Sequence, residues 1–436
     1  MADVCYIMRM QRTYCREARW LHNTFFWGVI LVSIDCLTHS AGHITEEEIS
    51  KYKNKLEQIK QKFKDKKEML DWFDLNTTIS QEQLKQIEDL TKKIHSTHSI
   101  LVVVGVGGSY LGAEAIQKSL TNYFADFNKN KVLFAGYNLS GEYLKSLIKY
   151  LDNKNFFINY ISKSGTTLEP SLAFETLLDY AKKRYPKKYQ ERIIITTNET
   201  NSPLFDMAKR EGYHLFTMPQ NIGGRYSLLT PVGLFPLSVC DVDIKAMLAG
   251  AEKQSGNIDL ALEYAVARDI LYNQGFKVDA FTIYEPKLGD LASWWQQLFG
   301  ETQGKDKKGI FPICNVNTAN LHSIGQYLQD GEDIIFETVL RIKELDDFKI
   351  SNNNISYADL NMIVLDQVAL AHAMGNTPSI IINIEKIDAF NFGELVYFFF
   401  VAAAAGAYLM DVNPFDQPGV EKYKQLVKQK ISKIIN

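Results

Sequence analysis

The chain has 436 residues, more than one simple core accommodates, so two or three domains are expected. Hydrophobic residues make up 46%, charged residues 23%, and the formal net charge is −3, which excludes a disordered or collagenous chain and leaves no general basic field for nucleic acid. The five cysteines are irregularly spaced and form no C-x-x-C pair, so neither a disulfide framework nor a zinc site is indicated and cytoplasmic residence fits best.

The first stretch is the least explained. Phe25 to Ile34 (FFWGVILVSI), preceded by Arg9, Arg12, Arg16 and Arg19, has the length of a signal-peptide core, but Glu17 and two cysteines stand before it. Residues 1–40 are therefore taken as an N-terminal extension of unclear status, and 41–95 as a helical segment. Thr45 with Glu48 reads as a capping box ahead of Ile49, Tyr52, Leu56, Ile59 and Phe63 at helical spacing. Ser80 with Gln83 reads as a second box, opening a helix that carries Leu84, Ile87, Leu90 and Ile94.

From Ile100 the period changes. Ile100–Val104, Val132–Ala135, Phe156–Ile161, Ile193–Thr197 and His214–Met218 are apolar runs of strand length, separated by helical patterns such as Ala113–Phe124 and Pro170–Tyr185. Ala280–Tyr284, Ile310–Ile313 and Ile380–Ile384 continue the series. The expectation is an α/β protein with two doubly wound, mostly parallel sheets between helices, one over residues 96–240 and one over 241–436, joined near 236–245. Leu395 to Met410 (LVYFFFVAAAAGAYLM) is apolar for 16 residues, short for a bilayer span, and reads as a buried helix.

Two turns carry chemistry. Gly105-Val106-Gly107-Gly108-Ser109 follows the first strand and precedes a helix, where glycines let a ligand approach the backbone and free N–H groups favour an anion. It is not a dinucleotide fingerprint, because Tyr110 stands where the third glycine is needed and no acidic residue ends the next strand. Taken alone, it serves equally well as a tight turn. Ser162-Lys163-Ser164-Gly165-Thr166-Thr167 ends the strand Phe156–Ile161, ahead of Glu169-Pro170. Its hydroxyls and amides suit a phosphate dianion, and the plain alternative is a Ser/Thr-rich loop cap. Its place at a strand's carboxyl end favours phosphate.

VVVGVGGSYLGAEA, ISKSGTTLEP, NIGGRYSLLTPVG, WWQQLFGETQGKDKKGIFP and NPFDQPGVEKYK together resemble, in order, the bacterial glucose-6-phosphate isomerase family, from about residue 45 to near the C-terminus. The resemblance implies two sugar-isomerase (SIS) domains, a homodimer, and proton transfer between C2 and C1 of an opened hexose phosphate through a cis-enediol. It implies Glu301 as the base, Arg225 beside the enediolate, His322 as the ring-opening group reaching in from the partner subunit, and Lys424 at the ring oxygen. Ser162, Lys163 (through its backbone), Ser164 and Thr167 would hold phosphate, Gly108 and Ser109 the substrate, and Gln417 the sugar or phosphate side, with Glu169 ordering the site. No metal and no cofactor are called for; His39/His43 and His95/His98 have ligand-like spacing but read as surface or capping residues.

Three alternatives remain. An isomerase also accepting mannose 6-phosphate differs by one hydroxyl position of the substrate. A non-catalytic sugar-phosphate sensor would need the phosphate turn but not Glu301, Arg225, His322 and Lys424 together. A nicotinamide-dependent dehydrogenase is disfavoured by Tyr110 and the missing acid.

Overall fold

Continuous β-branched runs have no polar face to turn to water, so they become strands covered on both sides. In the computed structural model, which describes residues 32–65, 69–124, 132–199, 202–350 and 355–435, these runs supply most of the strands of two five-stranded sheets. The first holds β2 (Ile100–Val104), β3 (Val132–Ala135), β4 (Phe156–Ile161), β5 (Ile193–Asn198) and β6 (His214–Met218) in the order β3-β2-β4-β5-β6. Every pair in it is parallel, and β2, β4 and β5 are buried throughout.

The second sheet runs β1-β10-β9-β7-β8, from β1 (Ser33–Asp35), β7 (Val278–Ile283), β8 (Phe311–Val316), β9 (Ile335–Glu344) and β10 (Ser379–Lys386). Its pairs are parallel except at the edge, where β1 lies antiparallel to β10 with Ile34 opposite Ile382. The stretch set aside as an extension thus reaches into the fold from Val32, and Val32 and Cys36 are buried. Both sheets belong to one unit beginning at Val32. The rest of the expected extension, with most of its signal-like run, lies outside the described residues.

Helices of eight or more residues are numbered in chain order. They are α1 (Lys53–Asp65), α2 (Gln81–Ser96), α3 (Leu111–Leu120), α4 (Gly141–Leu151), α5 (Leu168–Arg184), α6 (Pro203–Glu211), α7 (Pro231–Val239), α8 (Ile244–Ser255), α9 (Asp259–Asn273), α10 (Gly289–Gln303), α11 (Tyr357–Met374), α12 (Ala389–Leu409) and α13 (Pro418–Ile435). The box before α2 is reciprocal: Ser80 N donates to Gln83 Oε1 and Gln83 N to Ser80 Oγ, each at 3.1 Å. At Thr45 only half the expected box forms, the hydroxyl accepting from Glu48 N at 3.2 Å. The helix expected to run on from there breaks after Ser50 and resumes at Lys53.

The apolar segment read as a buried helix lies within α12. By length and composition α12 could cross a membrane, yet 94% of its apolar window is buried inside the fold. It packs on α8 with unusually close backbones: a Cβ on Gly250 would sit 1.9 Å from Phe390 O, and one on Gly393 1.8 Å from Met247 O. Glycine is required at both crossing points.

Candidate active site

The carboxyl edge of the first sheet supplies two turns. After β2, the turn Gly107–Ser109 meets the turn Gly224–Tyr226 backbone to backbone, since a Cβ on Gly108 would come 2.1 Å from Gly224 O. After β4, Ser162 is buried and its Oγ accepts from Gly165 N at 3.0 Å. Ser164 Oγ pairs with Thr166 Oγ1 at 2.8 Å, and both residues are exposed. Thr167 is the N-cap of α5 and makes no side-chain capping bond, while Glu169 sits half-buried in the helix's first turn. Lys163 Nζ donates to Gln220 O at 3.3 Å, and burial pulls its ammonium below the usual lysine range. The loop is thus partly self-capped, as the plain alternative holds, while Ser164 and Thr166 stay exposed and the start of α5 has no side-chain cap from Thr167, which suits an anion cradle.

The other half comes from α10. Glu301 lies in its last turn, and its Oε2 accepts from Arg225 Nη1 at 3.3 Å and from Gln417 Nε2 at 3.1 Å. Its Oε1 accepts from Gln297 Nε2, one helical turn earlier, at 3.3 Å. The Arg225 side chain is 2% exposed and that of Glu301 35%, so a buried cation faces a carboxylate that ligand can still reach. Arg225 is locked from three directions: Nε donates to Thr302 Oγ1 at 2.9 Å, Nη1 to Glu301, and Nη2 to the carbonyl of Pro414. Tyr226 bonds the same Thr302 hydroxyl at 3.2 Å and stacks on Trp72 with ring centroids 4.8 Å apart. This is a fixed positive charge beside a held base, an arrangement able to take a proton and stabilise the resulting anion.

Arg225, Glu301 and Gln417 are therefore brought together, with Gly108 and Ser109 against the Arg225 turn. Among the described residues, no hydrogen bond or ion pair joins His322 or Lys424 to this group. His322 ends an exposed turn, Ala319–His322, beyond the carboxyl end of β8, whereas Glu301 precedes that strand. Lys424 lies on the exposed helix α13, 50% exposed, paired with Glu421 at 3.2 Å. Sequence reasoning passed over Gln297, Thr302 and Lys305. Only Gln297 left a signal, its i, i+4 spacing to Glu301 on a helix.

The sequence model of the family described as phosphoglucose isomerase matches residues 66–340. Glucose-6-phosphate isomerase of Fusobacterium nucleatum is 38% identical over 410 residues, covering 88% of this chain and 92% of that protein. The Staphylococcus aureus protein of the same name is 40% identical over 379 residues, covering 82% and 86%. Among solved structures, a hypothetical protein from Thermus thermophilus superposes with a TM-score of 0.82 at 23% identity, over 92% of this chain and 100% of that one. A glucose-6-phosphate isomerase from Chlamydia trachomatis gives 0.71 at 23% identity, over 81% and 74%. These two likenesses concern the fold, a pair of mostly parallel sheets flanked by helices; the extent of the sequence match goes further, and the chain belongs to the phosphoglucose isomerase family.

Proposed function

We infer that the chain catalyses the reversible isomerisation of glucose 6-phosphate to fructose 6-phosphate, a step shared by glycolysis and gluconeogenesis. Family membership supports the reaction, and the observation that carries the mechanism is the Glu301 carboxylate fixed between Arg225 and Gln417. Once the ring is open, Glu301 takes the proton from C2 and returns it to C1 on the same face, while the hydroxyl proton passes from O2 to O1. Negative charge develops on the enediolate oxygens between those steps, and the Arg225 guanidinium stabilises it there more than in the ground state. The steps need neither metal nor redox cofactor.

In this scheme Ser162, Ser164, Thr167 and the Lys163 backbone grip the phosphoryl group. Gly108 and Ser109 line the sugar, Glu169 orders the cradle, Gln417 steadies both Glu301 and substrate, and Lys424 assists at the ring oxygen. Ring opening falls to His322 of a second copy. The surface around His322 supports a homodimer: Ile324, Tyr327, Tyr357, Leu360, Ile363 and Met374 are all exposed there or along α11. Patches of that kind mark association surfaces. A cytoplasmic setting agrees with Cys36, Cys240 and Cys314 all being free thiols. The test is a direct assay on purified protein supplied with fructose 6-phosphate, sampled over time: glucose 6-phosphate should accumulate to equilibrium, and none forming would sink the reading.

A further inference from the structure

Gln417 reaches Glu301 because the segment from Asn413 to Gln417, where the chain turns from α12 to α13, is drawn down onto the end of α10. Two cations fasten that segment, both nearly out of water. Arg225 takes the carbonyl of Pro414. Lys305, in the loop just past Glu301, has a side chain only 5% exposed; its Nζ lies 3.0 Å from Asp416 Oδ1 and also donates to the carbonyl of Asn413. Asp416 is the residue before Gln417, so the Lys305–Asp416 pair acts one residue from the amide that holds the catalytic carboxylate.

As a device for stability this pair is poor. Asp416 remains 50% exposed, which weakens the attraction, while Lys305 bears the desolvation. Burial, with Arg225 nearby, draws the Lys305 ammonium below the usual lysine range against the pull of Asp416. A charge kept in an unfavourable place beside an active carboxylate has a better explanation in geometry. Small displacements of a positioned base are costly to catalysis.

We propose that Lys305 is a positioning residue, a latch that holds the segment Asn413–Gln417 closed over Glu301 so that Gln417 fixes the carboxylate for proton transfer. The proposal rests on the reading of Glu301 as the base. The latch does not touch the phosphate turn, so it acts on turnover rather than on phosphate binding.

The experiment uses the full chain with Lys305→Met, Asp416→Asn, the double variant and Lys305→Arg, measuring kcat and KM for fructose 6-phosphate and competition by inorganic phosphate. Lys305→Met and Asp416→Asn should each lower kcat about ten- to a hundredfold while phosphate competition stays within about twofold of the parent. The double variant should be no worse than the poorer single, and Lys305→Arg should recover most of the rate. The pH profile gives a separate reading. With Asp416, Arg225 and Glu301 as the charged groups facing it, the latch loses its charge as pH rises towards the usual lysine range, so kcat should fall on that side; in Lys305→Arg the fall should move to higher pH. Unchanged kcat in folded Asp416→Asn, a half-exposed site where loss of the fold is not expected, overturns the latch. So does a loss of phosphate competition parallel to the loss of rate. The base reading fails separately, if Glu301→Gln keeps full turnover.

Discussion

At the scale of single residues, the proposed chemistry depends on Arg225 being held fixed. Its guanidinium meets Thr302, Glu301 and the Pro414 carbonyl in three directions, a geometry that a lysine's single ammonium cannot copy. Arg225→Lys should therefore lower kcat about a hundredfold or more, although it retains the charge. Steady-state kinetics on the purified variant checks this, and near-normal turnover would mean that charge alone suffices. These partners also mark the limit of a single sequence. The strand-end turns carrying Gly108, Ser109, Ser162, Ser164 and Thr167 were legible because glycine and hydroxyl residues cluster locally after apolar runs. Contacts such as Arg225 with Thr302, or Lys305 with Asp416, join distant stretches by folding alone.

At the scale of elements, the first sheet was legible because its strands are uninterrupted apolar runs. β9 was missed for a physical reason: Glu337 interrupts the apolar run at its third position, and Arg341 and Lys343 interrupt it again further on. Glu337 is buried there because Thr282 and His372 satisfy its carboxylate, and Thr338 donates to Asp279 at 3.0 Å. β1 was missed because three edge residues carry too little pattern. Another buried charge makes a test in α12. Glu394 is fully buried, Lys253 lies 3.5 Å away, and burial lifts its carboxyl above the usual glutamate range. A group whose folded pKa is raised favours the fold when protonated, so that contribution is present at low pH and lost as pH rises through the folded value. Glu394→Gln should raise the melting temperature in mildly alkaline buffer and lose the advantage in mildly acidic buffer. Thermal unfolding across pH decides it, and destabilisation at every pH would contradict the argument.

At the scale of the whole molecule, the second copy enters through the family resemblance, and the place of His322 on an exposed turn beyond β8 agrees with it. Mixing provides a direct check. Glu301→Gln and His322→Ala should each be nearly inactive alone, and refolding or co-expressing them together should restore about a quarter of the parent activity, since about half of the dimers are mixed and each mixed dimer has one intact site of its two. No recovery on mixing would mean that each chain builds its own site. The helix α13 also leaves Tyr423, Leu426 and Val427 exposed beside Lys424.

The proposed proton transfer is tested most directly by solvent hydrogen exchange. In heavy water, the parent protein should place deuterium on the carbons of fructose 6-phosphate and glucose 6-phosphate that exchange the proton. Glu301→Gln should lose that exchange by about a thousandfold or more while still binding fructose 6-phosphate. Full exchange in the Glu301→Gln protein would contradict Glu301 as the base.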